Sequence, residues 1–150
     1  MIALPLLPAS RHITTSPDGT RALGGALVEL LHPGGTVALS GPLGSGKTVF
    51  VLGMAEALGV PPDMVASPTF TLVRVYPGRL RLYHLDAYRL TCGADFVELG
   101  GRDILAAGGI TAIEWAERLG EELPGSVIRV DFRHQGNNRR EIRIRQSLAE

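Results

Sequence analysis

The 150-residue sequence contains one cysteine, Cys92, one lysine, Lys47, one tryptophan, Trp115, and no excess of either charge. A lone cysteine excludes an internal disulfide framework and a multi-cysteine zinc site. Fifteen basic residues balance fifteen acidic ones, so no overall field recruits nucleic acid or a membrane surface. No apolar run approaches the roughly 20 residues that span a bilayer. The apolar start, Met1 to Ser10, has no basic residue ahead of it and carries Pro5 and Pro8, which is not the pattern of a secretory signal. Repeats, low-complexity tracts and long linkers are also missing. What remains is a chain that is 45% hydrophobic and 20% charged, enough for a sizeable core. These features predict a single domain over residues 1–150 in a soluble, cytoplasmic protein. The single lysine carries information of its own. All fourteen other basic residues are arginine, so Lys47 marks a position that arginine does not suit.

The order of elements reads as an α/β protein. Arg11 to Thr15 forms a short strand, and Ser16-Pro17-Asp18 starts a helix, with Ser16 as N-cap and Pro17 at the first helical position. That helix is expected to reach about His32, with Leu23, Leu27, Leu30 and Leu31 on one side. Thr36 to Ser40 is short, apolar and β-prone, like a buried parallel strand. A glycine-rich turn and a helix from about Gly46 to Leu58 follow. Phe70 to Tyr76 and Arg79 to Asp86 make a hairpin around Pro77-Gly78, although that pair suits a two-residue hairpin poorly and a longer loop fits better. Next come a helix over Asp95 to about Ala106 weakened by Gly100-Gly101, a strand over Gly109 to Glu114, and a short helix over Trp115 to Glu122. A terminal hairpin pairs Val127 to Phe132 with Glu141 to Arg145. The order β-α-β-α-β-β-α-β-α-β-β predicts an α/β sheet, mostly parallel with antiparallel additions.

The strongest chemical signal is Gly41-Pro42-Leu43-Gly44-Ser45-Gly46-Lys47-Thr48, a full match to G-x-x-x-x-G-K-[ST]. Small residues let the backbone curl so that successive N–H groups cradle phosphate oxygens, and the following helix adds its positive end. Lys47 would reach the β- and γ-phosphates of a nucleotide, and the Thr48 hydroxyl would ligate Mg²⁺. Gly41, Leu43, Gly44, Ser45, Gly46 and Val49 complete the expected binding set for ATP.

Two carboxylates complement this loop. Glu114 ends an apolar strand, the place from which an acid can hold the Mg²⁺ shell or orient water; the plainer alternative is an exposed residue opening the Trp115 helix. Asp86 continues the face of Leu80, Leu82 and His84 by period-2 counting. Ligands in open α/β sheets bind outside the carboxyl ends of strands, and the loop, Asp86 and Glu114 all sit at such ends if their strands run parallel. Ser67-Pro68-Thr69-Phe70 is either a nucleotide-sensing segment or a capped turn. His84 is assigned no role. Trp115 could stack on a base or pack in the core. Arg129, Arg133, Arg139, Arg140, Arg143 and Arg145 make the last hairpin locally basic, able to touch nucleotide, RNA or an acidic partner, or simply to form a solvated face.

Taken in order, GPLGSGKT, SPTFTLV (Ser67 to Val73), YHLDAYRL (Tyr83 to Leu90), ELGGRDIL (Glu98 to Leu105) and IEWAERL (Ile113 to Leu119) resemble the TsaE (YjeE) family. These are the small ATPases of bacterial tRNA threonylcarbamoyladenosine synthesis. The resemblance implies a P-loop NTPase-like three-layer sandwich and a P-loop ATPase with Lys47 and Thr48 on phosphate and Mg²⁺. It also implies that Asp86 and Glu114 serve hydrolysis, with Glu114 near the metal, and that Thr69 is switch-like. Pro17, Trp115 and Arg139 or Arg140 would lie near the nucleotide. The implied partner is the TsaB–TsaD heterodimer, which transfers threonylcarbamoyl to adenosine 37 of tRNA; tRNA is then met only through that complex, and no DNA or membrane is involved. The chain departs from the family's usual pattern at Pro42, where an acid is usual, and in the less acidic Thr91-Cys92-Gly93-Ala94 stretch. A P-loop small-molecule kinase, or a nucleotide-gated binding module, remains the alternative. A GTPase reading lacks an N-K-x-D motif, the only lysine being already used.

Overall fold

The computed structural model describes residues 9–42, 44–65 and 72–147. Within them the strands form one seven-stranded mixed sheet in the order β1-β7-β6-β2-β5-β4-β3. The four central strands, β6 (Val127–His134), β2 (Thr36–Ser40), β5 (Ile110–Glu114) and β4 (Leu82–Asp86), run parallel. Antiparallel pairs extend the sheet at both margins: β3 (Val73–Tyr76) on β4, and β7 (Arg140–Ser147) between β6 and β1 (Ser10–Thr14). The expected α/β sandwich, with a parallel centre and antiparallel additions, is what the chain adopts.

The parallel centre follows from the sequence of its strands. TVALS and ITAIE are almost continuously buried, because helices cover both sides and neither face needs polar residues. On one side α1 (Pro17–Val28) and α2 (Lys47–Ala57) bury Leu27, Phe50, Val51 and Met54 against Val37, Leu39, Ile128, Val130 and Phe132. On the other, α3 (Gly93–Glu98), α4 (Gly101–Ala106) and a 3₁₀ segment (Ala116–Glu122) cover Ala38, Tyr83, Leu85 and Ile113 with Phe96 and Leu119. Among the described residues no helix is long and apolar enough to cross a membrane.

Several expected boundaries shift, each for a local reason. α1 is capped as anticipated, the Ser16 hydroxyl accepting from the Gly19 N–H at 3.1 Å, but it ends at Val28 rather than His32, and Leu30 turns out to solvent. Its last expected turn would run into Pro33-Gly34-Gly35, so residues 29–31 unwind ahead of it. The β3–β4 connection is five residues, 77–81, since Tyr76 pairs with Leu82. The strand expected from Phe70 is described only from Val73, residues 66–71 lying outside the described ones. The 95–106 helix becomes two short helices because Gly100 takes a left-handed φ of 87°, and Gly101 sits so close to the Phe96 ring that a Cβ would overlap it. The helix expected from Trp115 is 3₁₀, and Trp115 itself is left-handed at φ 59°. In β4, period-2 counting separates the faces correctly, yet both are buried, Leu82 in one core and Tyr83 and Leu85 in the other.

Candidate functional site

The β2 strand delivers the chain to the glycine-rich loop at its carboxyl end, and the loop feeds directly into α2. Gly41, Gly44 and Gly46 adopt φ of 145°, 74° and 107°, a left-handed sequence that side-chain-bearing residues resist. At Gly41 the requirement is doubled, since a Cβ there would stand 2.8 Å from the Phe132 carbonyl oxygen. No side chain caps the start of α2, so its first N–H groups face the cleft without an internal acceptor. The Ser45 hydroxyl within the loop is buried with no hydrogen-bond partner among the described residues. An uncapped helix start, a loop of left-handed glycines and an orphaned hydroxyl together fit an anion such as a phosphate chain.

Lys47 is only 4% exposed. Its Nζ donates to the Gly41 carbonyl at 2.6 Å and lies 4.3 Å from the centre of the Trp115 ring. Burial pulls its pKa below the ordinary lysine value of 10.5, while the carboxylates of Glu114, Asp86 and Glu117 act in the opposite direction. A cation that is under-solvated and satisfied by one carbonyl and one ring face is poised to take an anionic partner.

Parallel registry places the acids beside it. Asp86 and Glu114 are paired positions at the carboxyl ends of β4 and β5. Both share the sheet face that carries α2, as their parity with Leu82 and Ala112 shows. Thr48 Oγ1 stands 3.5 Å from Glu114 Oε2, a separation that two ligands of one Mg²⁺ close with a small adjustment. Among the described residues no group of three or more His, Cys, Asp or Glu is arranged to hold a metal ion. Asp86 accepts from the Tyr88 N–H at 3.0 Å through Oδ1.

These groups open into a cleft of about 550 Å³. Gly44, Gly46, Lys47, Thr48, Val49, Asp86, Glu114, Trp115, Pro17 and Arg140 line it, so the sequence-derived set converges largely on one place. Gly41 and Ser45, at the base of the same loop, are not among the residues lining the cleft. Arg140 reaches the Gly44 carbonyl at 3.3 Å. Arg139, its expected companion, sits exposed between β6 and β7 and is not among the residues lining the cleft. Leu43 and Thr69 fall outside the described residues.

Sequence reasoning missed several wall residues: Ser16 and Thr20 on α1, Leu72, Tyr88, Arg89 and Asn138. Left-handed Leu72 and Asn138, at φ 60° and 63°, could have been noticed only through Asn138, whose residue type tolerates that conformation. The larger omission is His84. It is fully buried, and its Nε2 lies 2.6 Å from Glu114 Oε2. The signal was present in the alternation of β4, which sets His84 one step below Asp86 on the same face.

The fold and its loop define a class: an α/β protein with a strand–glycine loop–helix unit opening at the carboxyl edge of its parallel strands. The model of the TsaE family, described as "Threonylcarbamoyl adenosine biosynthesis protein TsaE", matches residues 14–142, and the chain belongs to that family. It is 40% identical over 134 residues to the tRNA threonylcarbamoyladenosine biosynthesis protein TsaE of Treponema pallidum, covering 89% of this chain and 98% of that one. It is 36% identical over 130 residues to the protein of the same name from Bacillus subtilis, covering 86% and 80%. The crystal structure of Bacillus subtilis YdiB superposes with a TM-score of 0.78 at 30% identity, covering 95% of this chain and 87% of that one.

Proposed function

We propose that the cleft binds ATP with Mg²⁺ and hydrolyses it. In this reading the protein serves the TsaB–TsaD pair during threonylcarbamoyladenosine formation at position 37 of tRNA, in the cytoplasm. The observation that carries the nucleotide part is the convergence of Lys47 Nζ, Thr48 Oγ1, Glu114 and Asp86 around the uncapped start of α2. Membership of a family described by threonylcarbamoyl adenosine biosynthesis carries the rest.

Each residue then has a physical task. The loop N–H groups bind the phosphate chain, and Lys47 exchanges its Gly41 carbonyl for a phosphate oxygen, gaining a charge-assisted contact in a poorly hydrated place. Thr48 and Glu114 hold the metal, which when bound neutralises charge developing on the phosphates. His84 and Thr48 both reach the same Glu114 oxygen, Oε2, and so fix the carboxylate through it. Asp86, anchored through one oxygen on the Tyr88 N–H, offers the other to a water. Pro17 and Arg140 wall the cleft, and Trp115 holds the ammonium until phosphate arrives.

The test is ATP turnover without any phosphoryl acceptor, by the protein alone and with the TsaB–TsaD pair added. Slow turnover that rises on adding the pair supports an accessory ATPase. Binding without turnover in either condition overturns it, and points to a kinase that awaits its acceptor.

A further inference from the structure

We infer that the open face of the β6–β7–β1 sheet margin docks the phosphate backbone of an RNA. The argument starts from which side of those strands is covered. Ile128, Val130, Phe132, Ile142 and Ile144 pack under α1 and α2. On the opposite side the second helical layer reaches β6 only at Val127. Beyond it, alternation and register set Arg129, Asp131 and Arg133 of β6 beside Arg145, Arg143 and Glu141 of β7, with Arg11 of β1 next in the row. Five arginines and two acids share one surface of a chain whose net charge is zero.

That arrangement is not what sheet stability asks for. Arg129 stands directly opposite Arg145, and Arg143 directly opposite Arg11, and like charges in register are destabilising. The two acids only partly relieve this. Glu141 is shared between Arg143 at 2.5 Å and Arg11 at 3.3 Å. Asp131 hydrogen-bonds Ser40 and reaches Arg145 at 3.7 Å. Arg129 and Arg133 make no ion pair among the described residues. Arg11, Arg143 and Arg145 keep 56%, 54% and 58% of their side chains exposed. A multianion laid across the row would convert this repulsion into attraction.

The chemistry favours RNA over an acidic protein. Protein interfaces need an apolar, often aromatic, centre. Among the described residues the exposed large hydrophobic ones, Leu30, Met64, Val75 and Tyr88, all lie elsewhere. A flat array of guanidinium forks without apolar anchors matches phosphate oxygens, which guanidinium binds in bidentate fashion. The face also continues to the glycine-rich loop: Arg133, Arg143 and Arg145 border an open concavity of about 420 Å³ together with Gly41. This goes beyond the proposed function, in which tRNA is met only through the complex, and it needs neither nucleotide nor partner.

The experiment measures anisotropy of a labelled, unmodified tRNA transcript titrated with the full chain, without ATP or TsaB–TsaD, over a range of salt. Arg129→Ala/Arg133→Ala is expected to weaken binding about tenfold and to flatten the log–log salt dependence by about 1.4 to 1.8, for two lost phosphate contacts. Far-UV circular dichroism and melting temperature should stay at wild type. Asp131→Asn keeps an acceptor for Ser40 while removing a negative charge, and should tighten tRNA binding, a gain that misfolding cannot imitate. Wild-type protein that fails to bind tRNA, or a double variant that binds it equally well, overturns the proposal. A double variant that keeps tRNA affinity but loses affinity for TsaB–TsaD also overturns it, in favour of an acidic protein surface.

Discussion

His84 Nε2 and Glu114 Oε2 meet at 2.6 Å inside the sheet, with the histidine ring wholly removed from solvent. The ring donates to the carboxylate, and Nδ1 is left buried with no partner among the described residues. A buried unpartnered polar atom costs about 1–3 kcal/mol, so fold stability alone does not explain the histidine. In the proposed ATPase reading it is a positioning residue that holds Glu114 toward Thr48. His84→Leu should lower kcat about tenfold or more, the range set by losing one charge-assisted hydrogen bond, with nucleotide affinity little changed. His84→Gln, which restores a donor near the same point, should recover part of kcat. Steady-state kinetics together with equilibrium nucleotide binding distinguish this from simple destabilisation, which would reduce active protein without splitting kcat from KM.

Lys47 occupies a slot bounded by the Gly41 carbonyl and the Trp115 ring. Lys47→Ala should weaken nucleotide binding about 100-fold, the effect of losing a charged hydrogen bond of ~3 kcal/mol. Lys47→Arg should fail nearly as badly, because the planar guanidinium is too wide for a position that is 4% exposed. Glu114→Gln should bind nucleotide yet show little turnover. Fluorescent-nucleotide titration and phosphate release check all three; wild-type binding by either lysine variant would remove the cradle argument.

Much of this was legible because the motif and its neighbours obey local rules. Ser16-Pro17 announces a helix start, TVALS a doubly buried strand, and the glycine-lysine-threonine run a loop between strand and helix. What was not legible depended on tertiary contacts. The sheet order that puts β4 beside β5, and so Asp86 beside Glu114, could be expected only conditionally. His84 read as an ordinary histidine because its partner is thirty residues away. Arg140 and Arg139 were indistinguishable until the hairpin turn at Asn137 and Asn138 fixed which one points at the loop. The arginines of the last hairpin were legible as a locally basic stretch able to touch RNA, but not which of them share one uncovered side of the sheet, nor that Arg11 joins them, because strand pairing decides both.

Glycine spacing between α1 and α2 supplies a stability test with opposite signs at adjacent residues. A Cβ on Gly53 would fall 1.8 Å from the Arg21 carbonyl oxygen, and one on Gly24 would fall 2.1 Å from that of Phe50. On Gly25 it would meet nothing nearer than 3.4 Å. Gly24→Ala and Gly53→Ala should therefore cost about 3 kcal/mol as the helices are forced apart, lowering Tm by roughly 6–12 °C. Gly25→Ala should be neutral or stabilising by up to ~1 kcal/mol through helix propensity. Because α1 carries Ser16, Pro17 and Thr20 to the cleft, the two destabilising variants should also weaken nucleotide binding. Thermal melts that rank the three variants otherwise would mean that the helices do not approach through these glycines.

The last prediction concerns acid. Hydrogen bonds from Arg143, and then from Arg11, hold the Glu141 carboxyl below its ordinary value of 4.5. A depressed carboxyl stabilises the fold when ionised, so its contribution is complete above the unfolded-state value and disappears as pH falls through the folded-state one. Glu141→Gln should therefore be less stable than wild type at neutral pH, and the gap should narrow steadily once the pH drops below about 4.5. Gln135, which donates to the same carboxylate at 2.6 Å, can still bond the substituted amide oxygen, so the difference isolates the two arginines. Denaturant melts of both proteins from pH 7 to pH 3 check the point. A gap independent of pH would mean that Arg11 and Arg143 bind Glu141 no better in the folded chain than water does, and that the row of arginines beside it is even less neutralised than its geometry indicates.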